Sequence, residues 1–177
     1  MTTPPLTPDL SAWREFYSLI GSAAATLIGL MFVAASIGAG VFTRDHQAGI
    51  RSFLSPTVAH FAAVLVLCLI GMIPTLTWHD FRLLTTVVGV AGLLYASWVL
   101  RRMVRHGLVS TIDLADRLWY AGLPIIAYLL LGFVGTGPLR SPDRALRWMA
   151  TALIFLLLIG IRNAWDMTVW IIDRRRN

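Results

Sequence analysis

The sequence has few of the residues that covalent cross-links, metal sites and catalysis require. Its single cysteine, Cys68, excludes a disulfide within the chain and any site built from several cysteines. The phosphate-binding patterns G-x-x-x-x-G-K-S/T and G-x-G-x-x-G, the zinc pattern H-E-x-x-H and the serine elbow G-x-S-x-G are all absent. No nucleophile lies beside a recognisable base. We therefore predict that the protein is not an enzyme and that it holds no metal and no cofactor.

Lysine is also absent, so all fifteen basic residues are arginine, and the net charge is +6. In a soluble protein this charge would suggest a nucleic-acid partner. The arginines lie instead at the ends of apolar runs, where they set membrane topology and meet anionic lipid headgroups. We therefore expect no nucleic acid. The candidate headgroup residues are Arg101, Arg102 and Arg105.

Apolar residues make up 57% of the chain, and the mean hydropathy is +0.72. Both values exceed those of ordinary soluble domains. From Phe16 to Val41 the only ionisable group is the Tyr17 phenol. This run is about 39 Å long as a helix, more than a bilayer crossing needs. No basic segment precedes it, so we predict a retained membrane span rather than a signal peptide.

The apolar runs predict an all-α bundle of five transmembrane helices, with the first span as the central packing helix. Ser141-Pro142-Asp143 is a strong helix start, because serine caps, proline fits the first position and the acid suits the first turn. We expect a polar turn at 43–51 and an interfacial segment at 107–117. The predicted spans are about 13–42, 52–75, 81–100, 118–134 and 143–173, with an extracytoplasmic tail at 1–12 and a basic cytoplasmic tail at 174–177. No internal repeat is visible, which argues against an inverted-repeat transporter.

The arginines also predict an orientation. With five spans the two termini lie on opposite sides, and the side of the C-terminus carries more arginines than the side of the N-terminus. The positive-inside rule then places the N-terminus outside and the C-terminus in the cytoplasm.

One face of the first span is small and polar, with members three, four or seven residues apart along the helix. This face consists of Glu15, Ser18, Ser22, Thr26, Gly29 and Ser36. Hydroxyls and glycines with an acid at the outer end can line a narrow cation pathway when several copies surround an axis. The same residues also suit a close seam between helices, since small residues let helix backbones approach in lipid.

A second candidate site lies on the other apolar runs. Arg162 and Asp166 are four residues apart and can pair, and Asn163 is adjacent. His60 is the one ionisable residue within the second span. Together these four residues predict an inner polar cluster. The cluster is either a proton-sensitive intramembrane site or a set of structural contacts. In the second case Arg162 and Asp166 form an interfacial ion pair anchored by Trp165, and His60 is a hydrogen-bonded core histidine.

Two stretches carry a resemblance to a known group. The start W-R-E-F-Y-S-L-I-G-S-A-A-A-T-L-I-G-L-M-F-V-A-A-S and the later G-I-R-N-A-W-D resemble small, uncharacterised bacterial integral membrane proteins. Those proteins have a Gly/Ala-rich first span and an A-W-D element in the last helix. The resemblance implies a protein of the bacterial inner membrane in which these two helices matter. It transfers no binding or catalytic residue.

Three functions remain open. The first is a small homo-oligomeric ion channel or transport-like protein, with the first span lining its pathway and the inner polar cluster acting as a gate or relay. The second is a non-conducting scaffold or accessory subunit that docks another membrane protein. The third is a membrane protein that binds anionic lipid through its arginines.

Overall fold

A computed structural model describes residues 7–39, 44–105, 118–136 and 141–176. Within these ranges the chain is helical apart from short connections and contains no strand, which confirms the all-α class. The helices are α1 (Thr7–Ala39), α2 (Arg44–Gly71), α3 (Trp78–Arg105), α4 (Leu118–Thr136) and α5 (Pro142–Arg176). α4 opens with a π-helical turn at Leu118–Gly122 and continues as an α-helix over Leu123–Thr136.

Four of the helices are long and apolar enough to cross a membrane. The qualifying stretches are Trp13–Ser36, Trp78–Arg105, Leu118–Thr136 and Pro142–Asp166. α2 contributes a shorter apolar stretch, Pro56–Gly71. These lengths and compositions indicate a membrane protein, and the five helices agree with the predicted number.

Several helices extend beyond the predicted spans. α1 begins at Thr7, where Thr-Pro-Asp repeats the pattern that starts α5 after Ser141. α2 begins at Arg44, inside the stretch predicted as a polar turn, and α5 continues through the arginines predicted as a tail. In these three helices the polar sequence continues the helix rather than ending it. The apolar boundary therefore marks the end of a span but not the end of the helix. The predicted interfacial segment at 107–117 and residues 1–6, 40–43, 106, 137–140 and 177 lie outside the described residues.

The connection between α2 and α3 is short and well capped. α2 ends at Gly71, and Pro74 follows three residues later. Proline disfavours helix in the residue that precedes it, so the helix cannot readily continue through this connection. Thr77 then caps α3. Its Oγ1 accepts a hydrogen bond from the Asp80 backbone N–H at 3.2 Å and donates one to Asp80 Oδ2 at 2.6 Å.

Helices that follow one another in the chain run antiparallel, as do α2 and α5. We call the end where α1 begins the proximal end and the opposite end the distal end. α2 lies against α1, α3 and α5, while α5 also packs on α4. α1 packs mainly on α2 and touches α5, so it lies at the edge of the bundle. The expectation that α1 is the central packing helix is therefore wrong. Its buried stripe is narrow, since only Tyr17, Gly21, Ala24 and Met31 of its described side chains are buried.

α3 and α4 form the closest helix pair. A Cβ atom at Gly135 would lie 2.8 Å from the Thr86 nitrogen and 2.9 Å from the Arg82 carbonyl oxygen. The Arg82 Nε donates a hydrogen bond of 3.0 Å to the Gly135 carbonyl oxygen. Further along, the Tyr128 ring of α4 covers Gly92 of α3 so closely that a Cβ atom there would overlap it. Glycines thus set the separation of this pair.

Candidate functional site

The small polar face of α1 points away from the other helices. All six of its members are exposed: Glu15, Ser18, Ser22, Thr26, Gly29 and Ser36. A Cβ atom at Gly29 would meet nothing within 4 Å. The face therefore forms no seam with another described helix of the same chain. What remains open is a contact with a different molecule.

The hydroxyls of this face are partly satisfied by α1 itself. Thr26 Oγ1 donates to the Ser22 carbonyl oxygen at 2.9 Å, and Ser36 Oγ donates to the Phe32 carbonyl oxygen at 2.8 Å. Such bonds leave the hydroxyl oxygen free to accept a hydrogen bond or to contact a cation. The face can therefore stand in an apolar surface and still offer oxygens to a partner.

An open groove lies at the proximal end of this face. Its volume is about 570 Å³. It is lined by Arg14, Glu15, Ser18, Leu19, Ser22 and Met72. The groove therefore contains the acid and two serines that the sequence placed at the outer end of a pathway, together with an adjacent arginine.

The seam that α1 makes with α2 uses different residues. Tyr17 is fully buried over Gly71, where a Cβ atom would lie 3.1 Å from the ring, and Gly21 faces Cys68 in the same way. Gly21 and Gly29 are eight residues apart in the sequence, and Gly29 lies on the exposed polar face. Only Gly21 belongs to the packed side.

His60 is buried and bonded to a tyrosine of α4. Its side chain is 1% exposed, and Nδ1 lies 2.9 Å from the Tyr128 hydroxyl oxygen. Tyr128 is itself 2% exposed. The contact joins residues 68 positions apart. His60 is thus a core histidine with a specific partner, while its Nε2 has no hydrogen-bond partner among the described residues.

Arg162 and Asp166 form the predicted ion pair on α5. The Arg162 guanidinium also lies 5.8 Å from the centre of the Trp119 ring, in the π-helical turn of α4. Both charged side chains are partly exposed. The pair therefore stands at the border between the bundle core and its surface.

Asn163 is the most unusual member of the inner polar cluster. It is 1% exposed, and neither its amide nitrogen nor its amide oxygen has a hydrogen-bond partner among the described residues. The Asp166 Oδ2 is likewise buried and unpartnered there. Buried polar atoms without partners typically cost about 1–3 kcal/mol each, so such groups need a partner.

The two candidate sites do not meet in one channel through a single chain. The polar face of α1 looks outward, whereas His60 and Asn163 look inward between α2, α4 and α5. A pathway that uses both would need several copies or a rearrangement of the bundle.

The candidate headgroup arginines lie at the distal end of α3. Arg101, Arg102 and Arg105 are exposed, and the Arg102 guanidinium lies 5.5 Å from the centre of the Trp98 ring. Tryptophan beside arginine is typical of the interface between lipid and water. Positive charges at the last turn also complement the dipole of α3.

Sequence reasoning missed Tyr128. The residue stands in an apolar run, I-I-A-Y-L-L-L, where a tyrosine reads as part of the core. A buried tyrosine hydroxyl needs a partner, and a buried histidine in another span can supply one. The sequence could therefore have predicted a hydrogen bond between His60 and a buried tyrosine of another span. It could not have identified Tyr128 as that tyrosine.

We predict that Tyr128→Phe lowers the free energy of unfolding by about 0.6 kcal/mol and by no more than about 1.7 kcal/mol, the average and the maximum measured for hydrogen bonds between membrane helices. The ring would still cover Gly92, so only the bond to His60 is lost. Reversible unfolding in mixed micelles would measure the change. In a double-mutant cycle with His60→Leu, the effect of Tyr128→Phe should nearly disappear; a full effect in the absence of His60 would contradict the pairing.

No protein-family model, no curated protein and no solved structure matches this chain.

Proposed function

We propose that the chain is one subunit of a small homo-oligomeric membrane protein that acts as an ion channel or transport-like protein. In this assembly the polar face of α1 turns toward a shared axis. The observation that carries the proposal is the outward orientation of that face, from Glu15 to Ser36. A line of hydroxyls and glycines offers lipid chains little to pack against, whereas it lets a second helix approach closely.

The charges at the proximal end support contact between copies. Arg14 and Glu15 are adjacent and exposed, and neither pairs with another described residue. In a ring of parallel copies all these residues lie at one depth. Glu15 of one copy can then meet Arg14 of the next, as a head-to-tail ring requires. The groove beside them would form part of the mouth.

A non-conducting scaffold or accessory subunit is the second candidate. It is favoured by the bulky exposed residues that flank the same face, Leu19, Leu30 and Phe32, which are 70%, 58% and 60% exposed. Small residues framed by large ones suit a tightly packed helix seam. In that case α1 would bind another membrane protein and would line no pathway.

The membrane setting is part of the proposal. We place the protein in the bacterial inner membrane with the N-terminus outside and the C-terminus in the cytoplasm, on the arginine bias and the resemblance described above. The distal arginines Arg101, Arg102 and Arg105 would then contact anionic headgroups. This lipid contact would anchor the subunit and is secondary to the α1 face.

Cysteine cross-linking in native membranes tests the contact between copies. We expect Ser22→Cys to give a disulfide-linked dimer on mild oxidation, because close helix packing brings symmetry-related Cα atoms within disulfide range. Val87→Cys on α3 is the matched control. Val87 is 56% exposed and follows the start of its apolar stretch by the same distance as Ser22.

The outcomes separate the hypotheses. A dimer from Ser22→Cys with none from Val87→Cys supports an α1 interface between copies. Cross-linking of Ser22→Cys only to a second protein supports the accessory subunit. Equal cross-linking at both positions would reflect random collision and would contradict a specific α1 interface.

A further inference from the structure

The inner polar cluster contains more hydrogen-bonding capacity than the described residues use. Three buried groups are unpartnered there: the His60 Nε2, both amide atoms of Asn163 and the Asp166 Oδ2. They come from two helices, and the Tyr128 hydroxyl of a third helix completes the His60 contact. The Tyr17 hydroxyl on α1 and the Thr85 Oγ1 on α3 are also buried and unpartnered among the described residues, whereas α2 and α5 contribute several such atoms near the place where they pack together.

The packing of α2 on α5 places these groups at nearly the same height along the bundle axis. Phe61 lies against Gly160 so tightly that a Cβ atom at Gly160 would overlap its ring. Val58 and Ala164 pack in the same apolar cluster. Because the two helices are antiparallel, His60 and Asn163 differ in height by only about 3 Å, at about 1.5 Å per residue.

The cluster reaches the surface at its distal side. Asp166 is one turn beyond Asn163 on the same side of α5, and its ion pair with Arg162 is partly exposed. The chain of polar groups therefore runs from a surface ion pair through a buried amide to a buried imidazole. A site with two to four polar partners near the surface is what an ordered water requires.

We propose that the junction of α2, α4 and α5 is an internal water-binding site, in which water molecules bridge His60, Asn163 and Asp166. Asn163 is its central residue because its amide can both donate and accept. Water entering beside Arg162 and Asp166 satisfies the amide and reaches the His60 Nε2. The ring proton of a histidine that is 1% exposed is thereby exchanged with bulk water. The inference stands apart from the proposed function, since it concerns none of the α1 residues.

Solid-state NMR of the full chain, with ¹⁵N-labelled histidine and in lipid bilayers, tests the site directly. The measured quantity is the rate at which polarisation passes from water to the His60 ring nitrogen. The His60 signal is identified by its loss in His60→Gln. We expect the rate to be within about tenfold of that for the exposed His79, as bound water would give.

The Asn163→Leu variant, of similar size, should slow this transfer about tenfold or more, because it removes the polar bridge. Ile159→Leu, an apolar change on the same buried side of α5, should leave the rate unchanged. If Asn163→Leu does not fold, Asn163→Ser keeps a hydroxyl and should retain rapid transfer. A His60 ring without water transfer in the unaltered protein, or an unchanged rate in Asn163→Leu, would overturn the proposal.

Discussion

Replacing Gly135 with alanine is expected to lower the free energy of unfolding by about 3 kcal/mol, near the upper limit typical of overpacked cores. The added methyl group would meet the Thr86 nitrogen and the Arg82 carbonyl oxygen of α3 at 2.8 and 2.9 Å. Both are backbone atoms, so neither can rotate away as a side chain can. α3 and α4 would have to separate, which would also strain the bond from Arg82 Nε to the Gly135 carbonyl oxygen.

Gly132 provides the matched control for this prediction. It lies one turn earlier on α4, and a Cβ atom there would meet nothing within 4 Å. Gly132→Ala should leave the stability unchanged or raise it by up to about 1 kcal/mol, the helix preference of alanine over glycine. Reversible unfolding in mixed micelles, followed by circular dichroism, compares the two variants. Equal effects at both positions would contradict the close approach of α3 and α4.

The double variant Ser18→Leu/Ser22→Leu is expected to abolish the cation flux that the protein supports across the membrane of proteoliposomes. Both serines line the proximal groove and are exposed on the polar face of α1. Leucine replaces each hydroxyl with a bulky apolar group, which removes oxygens that a passing cation needs and narrows the space near the axis. Ala91→Leu adds similar bulk on the exposed side of α3 and should leave the flux unchanged.

Flux and assembly must be measured on the same preparations, since they separate the two proposed functions. Loss of flux with intact oligomers supports the pathway. Loss of the oligomers themselves supports a packing seam, because two bulky side chains prevent close helix approach. If neither flux nor assembly changes, the α1 face has no role between copies and both forms of the proposal are contradicted.

The sequence predicts the polar face of α1 well because helix geometry alone decides which residues share a face. Glu15, Ser22 and Ser36 are exposed together, as their spacing requires. The direction of that face was not predictable. It depends on which side of α1 meets α2, and the buried side also contains small residues, Gly21 and Ala24.

The inner polar cluster was predictable only in part. The pair of Arg162 and Asp166 follows from local spacing on one helix, and the structure contains it. The bond between His60 and Tyr128 joins different helices and depends on the whole packing of the bundle. The same distinction holds for Gly132 and Gly135. They look alike in the sequence, and only the position of α3 makes one of them indispensable.

Single-particle imaging of the purified protein in lipid nanodiscs tests the central claim most directly. The claim is that the outward polar face of α1 is a surface between copies of the chain. It predicts a ring of subunits in which Ser18, Ser22 and Thr26 of every copy face the common axis. A monomer, or an oligomer in which these residues face lipid, would contradict it.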